Sequence, residues 1–271
     1  MRADSGGVSI EYEVSGPADG PPVVLLHGFP DSGRLWRGQV PALVDAGMRV
    51  IVPDQRGYGR SDRPAEIDAY NLLFLAGDVV AVLDDLGIER ANVVGHDWGA
   101  AVAWGLGSMV PDRVSKVAVL SVGHPASFAG AGFAQREKSW YMLLFQFEGV
   151  AEQWLSDNDW ANLREWSSHP DVDGVISDLE ATGSLTPGLC WYRANIPPSS
   201  FVEPPLELPP VQAPVMGVWS TGDFALTEAQ MTGSAQYCAG GFRYERLEGP
   251  GHWMQLEAPD DVNRLLVSFL T

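Results

Sequence analysis

Three residues far apart in the chain have the types and settings that nucleophilic catalysis needs. Asp97 stands in Gly95-His96-Asp97-Trp98-Gly99, after the apolar run Asn92-Val93-Val94 and before the helical pattern Ala100–Met109. A nucleophile held on a sharp strand-to-helix turn requires neighbours without side chains on both sides, and this frame carries Asp where esterases carry Ser. The helix that follows points its N-terminus at the carboxylate, which favours the anion. His252, in Gly249-Pro250-Gly251-His252-Trp253, lies between the last strand pattern and the final helix, the place of a general base. Asp223, in Ser220-Thr221-Gly222-Asp223-Phe224, follows another strand pattern, where a carboxylate would orient and stabilise the imidazolium. Singly, these residues read as a helix N-cap, a loop histidine and a turn aspartate. Together, in the order nucleophile, acid, base, they read as a catalytic set. The backbone N–H groups of Phe29, in His27-Gly28-Phe29-Pro30, and of Trp98 are the expected oxyanion donors. No G-x-S-x-G occurs, so a serine esterase would lack its nucleophile.

The elements that must hold these residues alternate. Strand patterns fall at Val8–Val14, Val23–Leu26, Val50–Val52, Asn92–Val94, Val114–Val122, Val215–Trp219 and Arg243–Leu247. Several are apolar throughout, as strands buried on both faces are. Helical spacing appears at Leu72–Leu86, Ala100–Met109 and Pro259–Phe269. Strand alternating with helix predicts an α/β fold, a mostly parallel sheet flanked by helices. The alternation lapses between His124 and Ala213. That stretch is helix-like and tryptophan-rich and ends in seven prolines between Pro197 and Pro214. It predicts an inserted helical cap (125–212) with a stiff return, on a core formed by 1–124 and 213–271.

Length and charge narrow the partners. The chain has 271 residues, enough for one large domain with an insertion. Its 35 acids against 17 bases give −18 and leave no basic cluster for nucleic acid or an anionic membrane surface. No apolar run is long enough to span a bilayer, and no signal-peptide pattern opens the chain. The two cysteines, Cys190 and Cys238, lack metal-ligand spacing and read as buried, inert thiols. A cytoplasmic protein, monomer or homodimer, is expected. From Ala151 to Ala181 eight acids accompany one base, Arg164; this run reads mainly as a solvated helix face that also disfavours anionic substrates.

The motifs His27-Gly28-Phe29-Pro30, Asp54-Gln55-Arg56-Gly57-Tyr58-Gly59-Arg60-Ser61-Asp62, Gly95–Gly99 and Gly251-His252-Trp253 together resemble the α/β-hydrolase-fold epoxide hydrolases. The resemblance covers nearly the whole chain. It implies two cap tyrosines whose hydroxyls grip the epoxide oxygen. Tyr141, in Trp140-Tyr141-Met142, and Tyr192, in Trp191-Tyr192-Arg193, are similar in context to those two. The implied reaction turns a neutral, apolar epoxide and water into a vicinal diol through an Asp97 alkyl-enzyme ester. It needs no metal or organic cofactor. His27, Phe29, Pro30, Trp98, Trp191, Phe224 and Trp253 are the expected pocket lining. The alternatives are a haloalkane or haloacid dehalogenase of the same fold, and a non-catalytic ligand-binding protein. Against the first, Phe29 stands where haloalkane dehalogenases commonly place a halide-binding amide side chain.

Overall fold

A computed structural model describes residues 1–203 and 207–271. Among the described residues, eight strands form one sheet: β1 (Arg2–Ser5), β2 (Val8–Ser15), β3 (Pro22–Leu26), β4 (Arg49–Pro53), β5 (Ala91–His96), β6 (Val114–Leu120), β7 (Val215–Ser220) and β8 (Phe242–Leu247). Their spatial order is β1-β2-β4-β3-β5-β6-β7-β8. β1 and β2 pair antiparallel; every pairing from β4 to β8 is parallel. The apolar runs explain the centre. β5 and β7 are buried along their whole length, because helices cover both faces. β8 closes one edge with alternating charges, its Arg243 and Glu245 paired at 2.6 Å, a charged edge that discourages strand addition. β1 has no counterpart among the sequence expectations: only Ala3 of its four residues points inward.

Before β6 come α1 (Gln39–Asp45), α2 (Leu72–Asp85) and α3 (Trp98–Met109). Between β6 and β7, the described residues carry α4 (Pro125–Gly130), α5 (Phe133–Lys138), α6 (Trp140–Leu144), α7 (Val150–Ser167), α8 (Val172–Thr182) and α9 (Leu185–Asn195). After β7 come α10 (Glu228–Thr232), α11 (Met254–Glu257) and α12 (Pro259–Leu270). α12 starts on Pro259, whose missing N–H is one of the helix's unpaired donors anyway. α7 is not one regular helix: Asn158, Asp159 and Trp160 take positive φ and break it. The proline-rich return is described only at its two ends, since Pro204, Pro205 and Leu206 lie outside the described residues. Among the described residues, no helix is long and apolar enough to cross a membrane.

Five of the eight acids in the α7–α8 stretch are exposed, as a solvated face would be, while Glu152, Asp171 and Asp178 are half-buried and paired. Asp171 pairs with Arg34 and with Arg37, the latter at 3.0 Å. Asp178 accepts from Ser32, and Glu180 from the indole N–H of Trp160. Ser32, Arg34 and Arg37 follow β3, so those ties seat the inserted helices on the body. Cys190 is buried as expected, whereas Cys238 is half-buried; both are free thiols.

Candidate active site

The parallel strands end in one row, with Leu26 beside Gly95 and His96 beside Leu120. The loops that leave this edge carry the chemistry, as in open α/β sheets generally. Asp97 is the first residue past β5, at φ 53° and ψ −123°, a conformation that costs a non-glycine residue of order 1–3 kcal/mol. Its surroundings enforce it. A Cβ on Gly95 would stand 2.1 Å from the carbonyl oxygen of Gly99, and one on Gly99 equally close to that of Leu26. A Cβ on Gly28 would meet the Asp97 carboxylate itself at 2.3 Å. Gly99→Ala should therefore lower the melting temperature by roughly 3–10 °C through overpacking against backbone. A thermal scan at the wild-type melting point would refute the collar.

The carboxylate does not cap α3. Asp97 Oδ1 accepts the Phe29 N–H at 2.9 Å, while Oδ2 lies 3.6 Å from His252 Nε2. His252 Nδ1 is 3.0 Å from Asp223 Oδ2, and Asp223 Oδ1 accepts the N–H groups of Ala225 and Leu226 at 2.9 Å each. The three expected residues thus come together in the order expected. They are all secluded: Asp97 is 8% exposed, His252 4% and Asp223 3%. Burial disfavours a charged His252 ring, but Asp223 and Asp97 outweigh it and raise its pKa to about 10. Burial likewise opposes ionised Asp223, yet His252 and the two N–H groups hold it below the usual carboxylate range.

Tyr141 and Tyr192 sit over this set, each 2% exposed, with ring centroids 6.1 Å apart. Tyr192 packs edge-on against Trp98 and Phe29. Burial first, and then the Asp97 charge, raise both phenols well above their ordinary pKa, so both are hydrogen-bond donors at neutral pH. The walls are aromatic. Phe29, Phe145, Trp166 and Phe224 meet in edge-on and tilted contacts around Tyr141 and Tyr192.

The other expected lining residues divide. Phe29, Pro30 and Trp98 are buried beside Asp97, on the loop after β3 and the first turn of α3. Trp191 is fully buried against Trp98 and Tyr58, its indole N–H given to the Arg56 carbonyl. Phe224 and Trp253 flank His252. His27 corrects the expectation. Both ring nitrogens are taken up, Nε2 by the Gln55 N–H and Nδ1 by the Gly28 carbonyl, so it braces the Asp54–Asp62 loop instead of lining a pocket.

Several residues escaped the sequence reading. Ser121 Oγ and His96 Nε2 both bond the His252 carbonyl, at 3.1 and 2.9 Å, and fix the base from below. Asp31 accepts the Trp253 indole N–H at 2.8 Å and lies 3.1 Å from His169 Nε2, joining the loop after β3 to the end of α7. Phe145 and Trp166 are wall residues; Phe145 lies four residues beyond Tyr141, and Trp166 belongs to the tryptophan-rich stretch. Among the described residues, no cluster of three His, Cys, Asp or Glu is placed to hold a metal ion.

The buried imidazoles set a pH window. Burial lowers His27, and it lowers His96 and His124 to a pKa of about 4. A depressed histidine is neutral in the fold, so its contribution is complete above the unfolded value near 6.5 and is lost toward pH 4. His252 has the opposite sign: its contribution is complete below about 6.5 and fades as pH rises through 10. Thermal stability should accordingly peak near neutrality and fall on both flanks. His124→Gln should flatten the acid flank; a melting temperature unchanged between pH 6.5 and 4.5 in the unsubstituted protein would refute the assignment.

An eight-stranded, mostly parallel sheet with an aspartate on its strand–helix turn and a histidine after its last strand defines a hydrolase of the α/β type. Residues 21–158 match the sequence profile of the alpha/beta hydrolase fold family. Epoxide hydrolase A of Mycobacterium tuberculosis is 35% identical, over 99% of this chain and 96% of its own. Among solved structures, epoxide hydrolase A from Mycobacterium thermoresistibile superposes with a TM-score of 0.80 at 31% identity, covering 100% and 97% of the two chains. The epoxide hydrolase of Bacillus megaterium, in complex with an inhibitor, gives a TM-score of 0.90 at 26% identity, covering 100% and 99%. The chain belongs to the α/β-hydrolase-fold epoxide hydrolase family.

Proposed function

We propose that the protein converts a neutral, apolar epoxide and water into a vicinal diol. The observation that carries this reading is one carboxylate with its two oxygens in different environments, beneath two protonated phenols. Asp97 Oδ2 attacks an epoxide carbon and its C–O bond breaks as the ester bond forms. Tyr141 and Tyr192 donate to the epoxide oxygen, and one passes a proton to the alkoxide. Oδ1 remains as the ester carbonyl, already on the Phe29 N–H. His252, charged in the resting enzyme, first returns its proton to the tyrosinate; oriented by Asp223, it then takes a proton from water, which attacks the Asp97 carbonyl carbon. The resulting oxyanion rests on the Phe29 and Trp98 amides. Collapse expels the diol alkoxide, which takes the proton of the hydroxyl just added at the Asp97 carbon, and leaves His252 charged as at rest.

Residues 125–212 act as the cap in this scheme, on a body of 1–124 and 213–271. Nothing in the chemistry calls for a cofactor. A dehalogenase reading is weaker because Phe29 brings no halide donor from its side chain. A binding protein would have no use for a base set between two carboxylates.

The test is a panel of styrene oxide, stilbene oxide and aliphatic epoxides, run beside halide release from haloalkanes and haloacids. Diol from at least one epoxide without halide release is the expected result. Halide release without diol would make the protein a dehalogenase, and binding without product would make it a receptor.

A further inference from the structure

The two phenols come from different helices, α6 and α9, yet must converge on one oxygen. Gln146 gives its amide to the carbonyls of Met142 and Tyr192, at 3.0 and 3.4 Å, and Arg193 makes the stronger, charged tie between those helices. Arg193, the residue after Tyr192, gives its Nε–H to the carbonyl of Phe145 at 2.9 Å. Phe145 closes α6, its own N–H bonded to the carbonyl of Tyr141 at 2.9 Å. The remaining guanidinium nitrogens of Arg193 grip Glu152 in a two-pronged pair, at 2.8 and 3.0 Å. Glu152 in turn accepts the Gly149 N–H that starts α7. The side chains are 4% and 17% exposed, so this is no loose surface pair. Burial works against Glu152 ionising, and Arg193 overcomes it, holding the carboxyl below its usual range.

We propose that Arg193, locked by Glu152, is the positioning residue for both phenols: it sets the separation of Tyr141 and Tyr192 without touching substrate. This rests on the reading of Tyr141 and Tyr192 as donors to the epoxide oxygen. The physical reason is tolerance. Hydrogen bonds weaken steeply with distance and angle, and an ångström of misplacement can cost on the order of 100-fold in rate. Two donors on separate helices cannot both stay in range of one oxygen unless something fixes the helices to each other. A lysine would keep the charge but could not hold the Glu152 fork and the Phe145 carbonyl together.

The consequence is confined to one half of the reaction. Phenol placement governs epoxide opening; hydrolysis of the ester uses His252 and the amides, none of which Arg193 touches. Single-turnover mixing with styrene oxide, quenched in acid and read by protein mass, separates the two rates. Arg193→Gln should slow alkylation by about 10- to 100-fold while ester hydrolysis changes by less than about 3-fold. Arg193→Lys should recover part of the loss. Where Arg193→Gln does not fold, Glu152→Gln and Arg193→Lys carry the same test.

Equal slowing of both half-reactions, or unchanged alkylation in a folded variant, would overturn the proposal. Tyr141→Phe/Tyr192→Phe in the same assay separates the two readings. Wild-type alkylation there would remove the tyrosine assignment itself. Slow alkylation there beside a normal Arg193→Gln would remove only the positioning role. Adding Arg193→Gln to the double phenylalanine variant should cost little more, since the arginine acts through those rings.

Discussion

Asp97→Ala should abolish epoxide turnover, with kcat down by at least about 10⁴-fold, the scale seen when one member of a nucleophile–base unit is removed. Nothing nearby can take over. Asp223 is committed to His252 and two backbone N–H groups, and Asp31 to Trp253 and His169. The fold should survive, because the Asp97 side chain caps no helix and alanine removes only the Phe29 hydrogen bond and the 3.6 Å contact with His252. A melting temperature near the wild type, measured on the same preparation, excludes the trivial explanation. The isotope experiment sharpens the point. In a single turnover in oxygen-18 water, label should enter the Asp97 carboxylate, because water attacks the ester carbonyl. The first diol formed should carry none. Activity near normal in Asp97→Ala would remove the nucleophile assignment; label in that first diol would mean that water opens the epoxide directly.

His252→Gln should split the reaction instead of abolishing it. In the free enzyme two carboxylates flank the ring and lift its pKa to about 10. Alkylation turns Asp97 into a neutral ester and leaves only Asp223 at Nδ1. The ring's hold on its proton weakens at the step that needs a base, so forming the ester readies the group that destroys it. Glutamine cannot take a proton from water, and general-base contributions of about 10²–10⁴-fold are typical. The variant should release at most one equivalent of product chemistry per site and then stall. Its mass should rise by that of the epoxide, on the peptide that contains Asp97. Multiple turnovers with no adduct would take the base role from His252.

Much of this site is legible from residues close together in sequence. Gly95, Asp97 and Gly99 lie within five residues, and the steric need for the glycines is local. Asp223 and His252 each follow a strand pattern that ends in turn residues, so each could be placed at the same sheet edge before any contact was known. What was not legible depends on distant partners. Asp31 gains its meaning from Trp253 and His169, both more than a hundred residues away. Glu152, Asp171 and Asp178 depart from the otherwise solvated run, because counting charge does not reveal Arg193, Arg34 or Ser32. His27 sits in a motif beside Phe29, which points it to the pocket; its ring turns instead to the Gln55 loop, a direction that no spacing encodes. β1 was too short and too polar for alternation to announce it, and the break at Asn158–Trp160 has no glycine or proline to mark it.

The glycine collar has a bearing on what this lineage could become. Gly28, Gly95 and Gly99 leave no room for even a methyl group, whereas the side chain at position 97 projects from a backbone that the collar alone holds in shape. The steric demand on this turn is therefore severe at three places, whereas position 97 is held by its positive φ and by the chemistry its side chain performs. A change of nucleophile demands no rebuilding of strand or helix, only a residue that can bear the positive φ. The reaction can drift one codon at a time, while the architecture that presents it cannot.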